Sequence, residues 1–147
     1  MNMMESYLEL KKRHQKEVNE FPFGFAFSPA QFVEMMKKWG LDYEKDINKI
    51  VSIGNGGYVQ KKDRDNMHEM FSRHRKEIRD FISADESGEE FVYKMFLREM
   101  RNYGYGWTGD PKDTLEALGL TWEDVQNNEK LLNGFNKASE VALRKVI

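Results

Sequence analysis

Residues 63–83, DRDNMHEMFSRHRKEIRDFIS, set the fold class. Met67, Met70, Phe71, His74, Ile78, Phe81 and Ile82 recur at the three-and-four spacing that gathers side chains on one face of an α-helix. His68, Ser72, Arg75 and Arg79 fall on the opposite face, so the stretch reads as a long amphipathic helix with one side in a core. Its centre has an echo upstream. Residues 69–78 read EMFSRHRKEI and residues 9–18 read ELKKRHQKEV, with Glu, Arg, His, Lys and Glu identical at an offset of sixty. Phe21 matches Phe81 at that offset, and Ser28, Phe32, Val33 and Met36 match Ser87, Phe91, Val92 and Met95 at fifty-nine.

The echo suggests two helix–loop–helix units, residues 5–38 and 65–101. Diverged duplication and shared Lys/Glu-rich composition both account for it. The first helix covers residues 3–20, with Met4, Tyr7, Leu8, His14 and Val18 on its apolar side. Pro22 and Gly24 end it, and Phe21, Phe23, Phe25 and Phe27 alternate as in a short strand. Ser28-Pro29-Ala30-Gln31 is a helix start: a serine cap, proline at the first helical position and glutamine three residues after the cap. Phe32, Val33, Met36 and Trp39 form the apolar stripe of that helix, and Gly40 stops it.

Between the units, β-branched residues flank Gly54-Asn55-Gly56-Gly57, predicting a β-hairpin over residues 50–60. A lone hairpin is marginal in water, so it must pack on helices or pair with the Phe-rich segment. A fourth helix is expected from Glu89 to Tyr103 and an aromatic, glycine-rich loop over residues 104–109. Further helices over residues 111–147 restart at Asp110-Pro111 and Thr121-Trp122, with Leu131, Leu132, Phe135, Val141 and Leu143 as apolar contacts in the last. The expected fold is mainly α (α+β): one helical domain over residues 1–147 with one small hairpin.

Composition narrows the function classes. The chain of 147 residues has no cysteine, which removes disulfides, thiolate metal sites and thiol nucleophiles and fits a reducing compartment. No run is apolar enough to span a membrane, and residues 1–20 lack the apolar stretch of a signal peptide, so the expected location is cytoplasmic. A net charge of −2 predicts no general affinity for nucleic acid. The charge is unevenly spread. Residues 61–80 hold seven Lys/Arg against five Asp/Glu, whereas residues 81–125 hold ten Asp/Glu against four Lys/Arg.

No motif carries an identifiable chemistry. His14 and His74, at echoed places, read either as an acid–base or metal pair or as core-edge histidines bonded to carboxylates. The second reading is preferred, because neither helix offers an H-x-x-x-H or H-E-x-x-H arrangement. His68 lies on a polar face, and its spacing from Arg64 is common in charged helices. Asp85-Glu86-Ser87-Gly88-Glu89-Glu90 suits a helix N-terminus without a calcium ion. TLEALGLTWEDV (114–125) resembles a helix-turn-helix, but Trp122-Glu123-Asp124 would bring like charge to DNA phosphates. A structural helix hairpin is the better reading. Two surfaces remain as binding candidates: a basic face of Arg73, Arg75, Lys76 and Arg79, and the aromatic segment Tyr103, Tyr105 and Trp107.

The order KxRHQKEVNxFP (11–22), FAFSxxQF (25–32), SIGNGGYV (52–59), RHRKEI (73–78), ADESGEEFVY (84–93) and TLEALGLT (114–121) resembles an uncharacterised family of small phage and mobile-element proteins of gut and related Bacteroidota-type bacteria. The resemblance spans residues 7–121, leaves the final helix outside and implies a mobile-element accessory protein. It supplies no catalytic residues. The expected function is therefore non-catalytic: binding and inhibition of a bacterial protein or ribonucleoprotein, with an anti-CRISPR role as the specific form. No enzyme activity, cofactor or metal is expected, and any contact with free RNA should be weak. An RNA-binding module is the first alternative and a small nuclease or hydrolase the second.

Overall fold

The computed structural model describes residues 6–144 and is mainly helical with a small antiparallel sheet. The long amphipathic stretch is helix α3 (Arg64–Ala84), preceded by a 3-10 turn at Lys61–Asp63. Its echo is α1 (Tyr7–Glu20). Met4 and the expected start of that helix at residue 3 lie outside the described residues. Then follow β1 (Gly24–Phe25), α2 (Pro29–Lys38), β2 (Ile50–Gly54), β3 (Gly57–Gln60), α4 (Phe91–Asn102), α5 (Tyr105–Thr108), α6 (Lys112–Leu118), α7 (Trp122–Gln126) and α8 (Glu129–Arg144).

The described residues form two compact units, one of residues 16–75 and the other of the remaining chain. Numbering alone shows that α1 and α3 each contribute one end to each unit.

In the unit of residues 16–75, the sheet has the order β1-β3-β2, all antiparallel. The Phe-rich segment does pair with the hairpin, Gly24 opposite Tyr58 and Phe25 opposite Gly57. Asn55 and Gly56 both take positive φ, 52° and 77°, which gives the hairpin the right-handed twist of its strands. A Cβ at Gly56 would also meet the Phe27 ring, so a side chain there needs both a strained backbone and a shift of that ring. The cap of α2 is as the sequence indicates: Ser28 Oγ accepts the Gln31 N–H, and Gln31 Oε1 accepts the Phe27 N–H. Its apolar stripe differs. Met35 and Met36 are buried with Ala26 and Ile50, whereas Val33 is 39% exposed. The helix rolls toward Met35 because Gly24 has no Cβ to keep Met35 and Trp39 off the strand.

In the other unit, α4 is the central element. Phe91, Val92, Met95, Phe96, Leu97 and Met100 are all buried against Tyr7, Leu10, Tyr105, Leu115, Val125 and the inner face of α8. Phe135 of α8 makes edge-on ring contacts with Phe96, Tyr105 and Trp122, tying α4, α5 and α7 to one side chain. Leu131 is buried on the same face, as expected, together with the small residues Gly134, Ala138 and Ala142, while Leu143, expected as a contact, is 39% exposed. Small residues let the two backbones approach. A Cβ on Gly134 would lie 2.5 Å from Val92 Cγ1 and 2.6 Å from the Gly88 carbonyl oxygen.

Helix ends follow simple chemistry. Asp85, buried, accepts the N–H groups of Gly88, Glu90 and Val92 and so closes the N-terminus of α4. The acids at 85–90 thus serve a helix start, although Asp85 fills the role that the echo gave to Ser87. Thr121 and Asp124 form a reciprocal capping box on α7. The expected loop at 104–109 is instead one turn of helix, α5. Its glycines bracket the turn: Gly104 and Gly109 sit at φ 70° and 67°, and the Gly109 N–H closes onto the Tyr105 carbonyl. They terminate helix at each end without dissolving what lies between.

Candidate functional site

The echoed histidines are the first test of chemistry. In the larger unit, Glu77 takes Arg13 Nη2 at 2.6 Å and lies 3.2 Å from His14 Nε2. In the unit of residues 16–75, Glu17 takes both Arg73 Nη atoms, at 3.0 and 2.6 Å, and lies 3.0 Å from His74 Nε2. Arg13, His14 and Glu17 sit sixty residues before Arg73, His74 and Glu77, so each Arg-His pair finds the glutamate of the other copy. The two histidines are nearly buried, at 5% and 7% exposure. Hydrogen bonds from Arg73 and His74 pull the Glu17 carboxyl down to about 2, and Arg13 and then His14 lower that of Glu77. Charged partners hold each imidazole against its helix, the geometry of a core-edge histidine. Among the described residues, no group of three or more His, Asp or Glu is placed to hold a metal ion.

The basic face is partly spent in the same contacts. Arg73 is committed to Glu17, and Lys76 Nζ is paired with Asp80 at 2.8 Å. Arg75, Arg79 and His68 are exposed. Of the four basic candidates, two therefore face solvent without a carboxylate partner among the described residues, a thin footing for phosphate binding.

The aromatic candidates separate as well. Tyr105 is buried, and its hydroxyl lies 2.7 Å from Ser139 Oγ on α8. It is an anchor for α5 and not a contact residue. Trp107, two residues on, is 83% exposed and Tyr103 is 48% exposed. A one-turn helix pinned by Tyr105 thus presents Trp107 outward, and burial of that indole against a partner would remove a large apolar area from water.

Net charge over residues 81–125 hid a further feature. Three of the four cations in that acidic stretch, Lys94, Arg98 and Arg101, line a single groove with Ser6, Tyr7, Leu8, Tyr93, Leu97 and Asn102. Their spacing of four and three along α4 was a sequence signal. Averaging charge over a long window erased it.

These observations define a mainly α protein with a small sheet, in which His14, His74, Arg73 and Tyr105 are committed to structure while Trp107, Tyr103, Arg75 and Arg79 are exposed. Residues 6–141 match the model of a family of unknown function (DUF7659), and the chain belongs to that family. The match reaches through α6, α7 and most of α8, further than the 7–121 expected from the motifs. Comparison with curated proteins and with solved structures gave no match. No helix of the described residues is long and apolar enough to cross a membrane.

Proposed function

We propose that this protein is a non-catalytic accessory factor of a phage or mobile element that binds and inhibits a bacterial protein or ribonucleoprotein, a CRISPR-Cas effector being the target class that reading favours. The exposure of Trp107 on a turn fixed by Tyr105 carries the proposal. A rigidly held exposed tryptophan costs a monomer solvation and offers a binding partner a preorganised anchor. The commitment of His14, His74, Arg13 and Arg73 to carboxylates supports a structural role for the groups that acid–base chemistry would need. The mobile-element assignment is supported by the ordered motifs from residue 11 to residue 121.

A second reading, an RNA-binding module, is favoured by Arg75 and Arg79, which stand exposed on one face of α3. Affinity capture from a bacterial host lysate, with mass spectrometry of retained species, separates the two. Wild type should retain a protein or ribonucleoprotein that Trp107→Ala loses without any change in circular dichroism. Tight binding of naked RNA at about 0.15 M salt, lost on reversing Arg75 and Arg79 and kept by Trp107→Ala, would transfer the conclusion to the RNA reading.

A further inference from the structure

The groove on α4 combines two features that belong together only at an interface. Its volume is about 370 Å3, and its floor is apolar: Leu97 is 9% exposed and Leu8, at the edge, 39%. Its rim is cationic. Lys94, Arg98 and Arg101 are exposed, and none has a carboxylate partner among the described residues. The one acid in α4, Glu99, is buried and committed: Tyr7 Oη donates to Oε2 at 2.6 Å and Asn102 Nδ2 to Oε1 at 3.3 Å. Three like charges on one helix face repel one another, a cost that an anionic partner would relieve.

The form of the anion follows from the spacing. Seven residues of helix separate Lys94 from Arg101 by about 10 Å, so the three cations form a line and not a cage around one phosphate. A single-stranded nucleic acid could follow a line, but it would need free ring faces for its bases. The two rings of the groove are already engaged. Tyr7 is 1% exposed with its ring against Phe91, and one face of Tyr93 is taken by the Lys137 ammonium, 4.5 Å from the centroid. An apolar floor under a cationic line instead matches a peptide with carboxylates on one side and aliphatic side chains on the other.

We propose that this groove docks an acidic, amphipathic peptide segment of a partner protein, its apolar side chains filling the floor at Leu8 and Leu97 and its carboxylates meeting Lys94, Arg98 and Arg101. The proposal rests on the protein-binding reading above and names the chemistry of the partner.

The test uses the full chain and a display library of randomised twelve-residue peptides, followed by fluorescence anisotropy of enriched sequences and of a twelve-nucleotide oligouridylate. Enriched peptides should be rich in Asp and Glu interleaved with Leu or Phe. Their affinity should fall at least tenfold in Arg98→Glu/Arg101→Glu, persist in Arg98→Lys/Arg101→Lys, and stay within twofold in Arg75→Glu/Arg79→Glu. Amide shifts on peptide binding should centre on residues 6–8 and 93–102, which keeps the assignment independent of any variant that folds poorly. Enrichment of neutral peptides, absence of enrichment, or acidic peptides insensitive to the 98/101 reversal would overturn the groove assignment. In the last case the protein-binding reading survives. Oligouridylate binding that is lost in the same reversal, with no peptide enriched, would overturn both.

Discussion

Replacing Glu17 by Gln tests whether the histidine–arginine clusters are structural. Glu17 holds three donors, two from Arg73 and one from the nearly buried His74, and a glutamine retains one carbonyl acceptor for them and no charge. Its carboxyl is held down to about 2 by these partners, from an ordinary value near 4.5. Because the Glu17 side chain is 32% exposed, water screens part of that coupling. The expected loss is about 1–2 kcal/mol, the range for leaving a buried donor partly unsatisfied. The pH dependence has a definite sign. A carboxyl whose folded value is depressed stabilises the fold above its unfolded value, and that stabilisation disappears as pH falls through the folded value. Urea unfolding followed by circular dichroism should thus show the largest gap between wild type and Glu17→Gln near neutral pH. The gap should narrow between pH 4.5 and about 2. A variant as stable as wild type at neutral pH, or a gap that stays constant down to pH 2, would refute the reasoning.

Gly134→Ala sets two effects against each other: about 1 kcal/mol gained in helix propensity and about 3 kcal/mol lost to overpacking against the Gly88 carbonyl, which is backbone and cannot step aside. The net loss of about 2 kcal/mol should lower the melting temperature by several degrees, whereas Asn136→Ala, exposed on the same helix, should leave it unchanged or raised. Asp85→Ala removes three backbone hydrogen bonds at the start of α4 and should cost about 2–4 kcal/mol, read by urea midpoint. Tyr105→Phe deletes the bond to Ser139 and should cost about 1 kcal/mol by the same assay while target capture is unchanged.

Much of this architecture was legible because it depends on local chemistry. The apolar period of residues 67–82, the Ser28 cap, the Asn55-Gly56 turn and the helix start at Thr121 each depend on a few neighbouring residues, and each stands where the sequence indicates. The hairpin's need for a partner left two options, packing on helices or pairing with the Phe-rich segment, and the second is the one seen. What the sequence hid depends on distant approach. Met35 replaces Val33 in the core because Gly24, eleven residues away, leaves room for it. Small residues at 134, 138 and 142, invisible to a search for large apolar side chains, share the contact face of α8 with the expected Leu131 and Phe135. Tyr105 and Trp107 look alike in a glycine-rich string, and only Ser139 and Phe135 decide which one turns inward. The RHxxE echo was visible, but its meaning, each Arg-His pair bound to the other copy's glutamate, needed the packing of α1 and α3 ends within each unit. The basic face shrank for the same reason, since Arg73 and Lys76 are consumed by acids, and the cations of α4 emerged from a stretch whose total charge is negative.

The most direct measurement is the affinity of the captured target for three forms of the full chain at physiological salt: wild type, Trp107→Ala, and Arg75→Glu/Arg79→Glu. The account predicts a loss on the order of 30-fold for Trp107→Ala, the effect of removing a buried aromatic anchor, and less than about twofold for the charge reversal. The contrary pattern, with Trp107→Ala binding like wild type and the reversal abolishing binding, would contradict it.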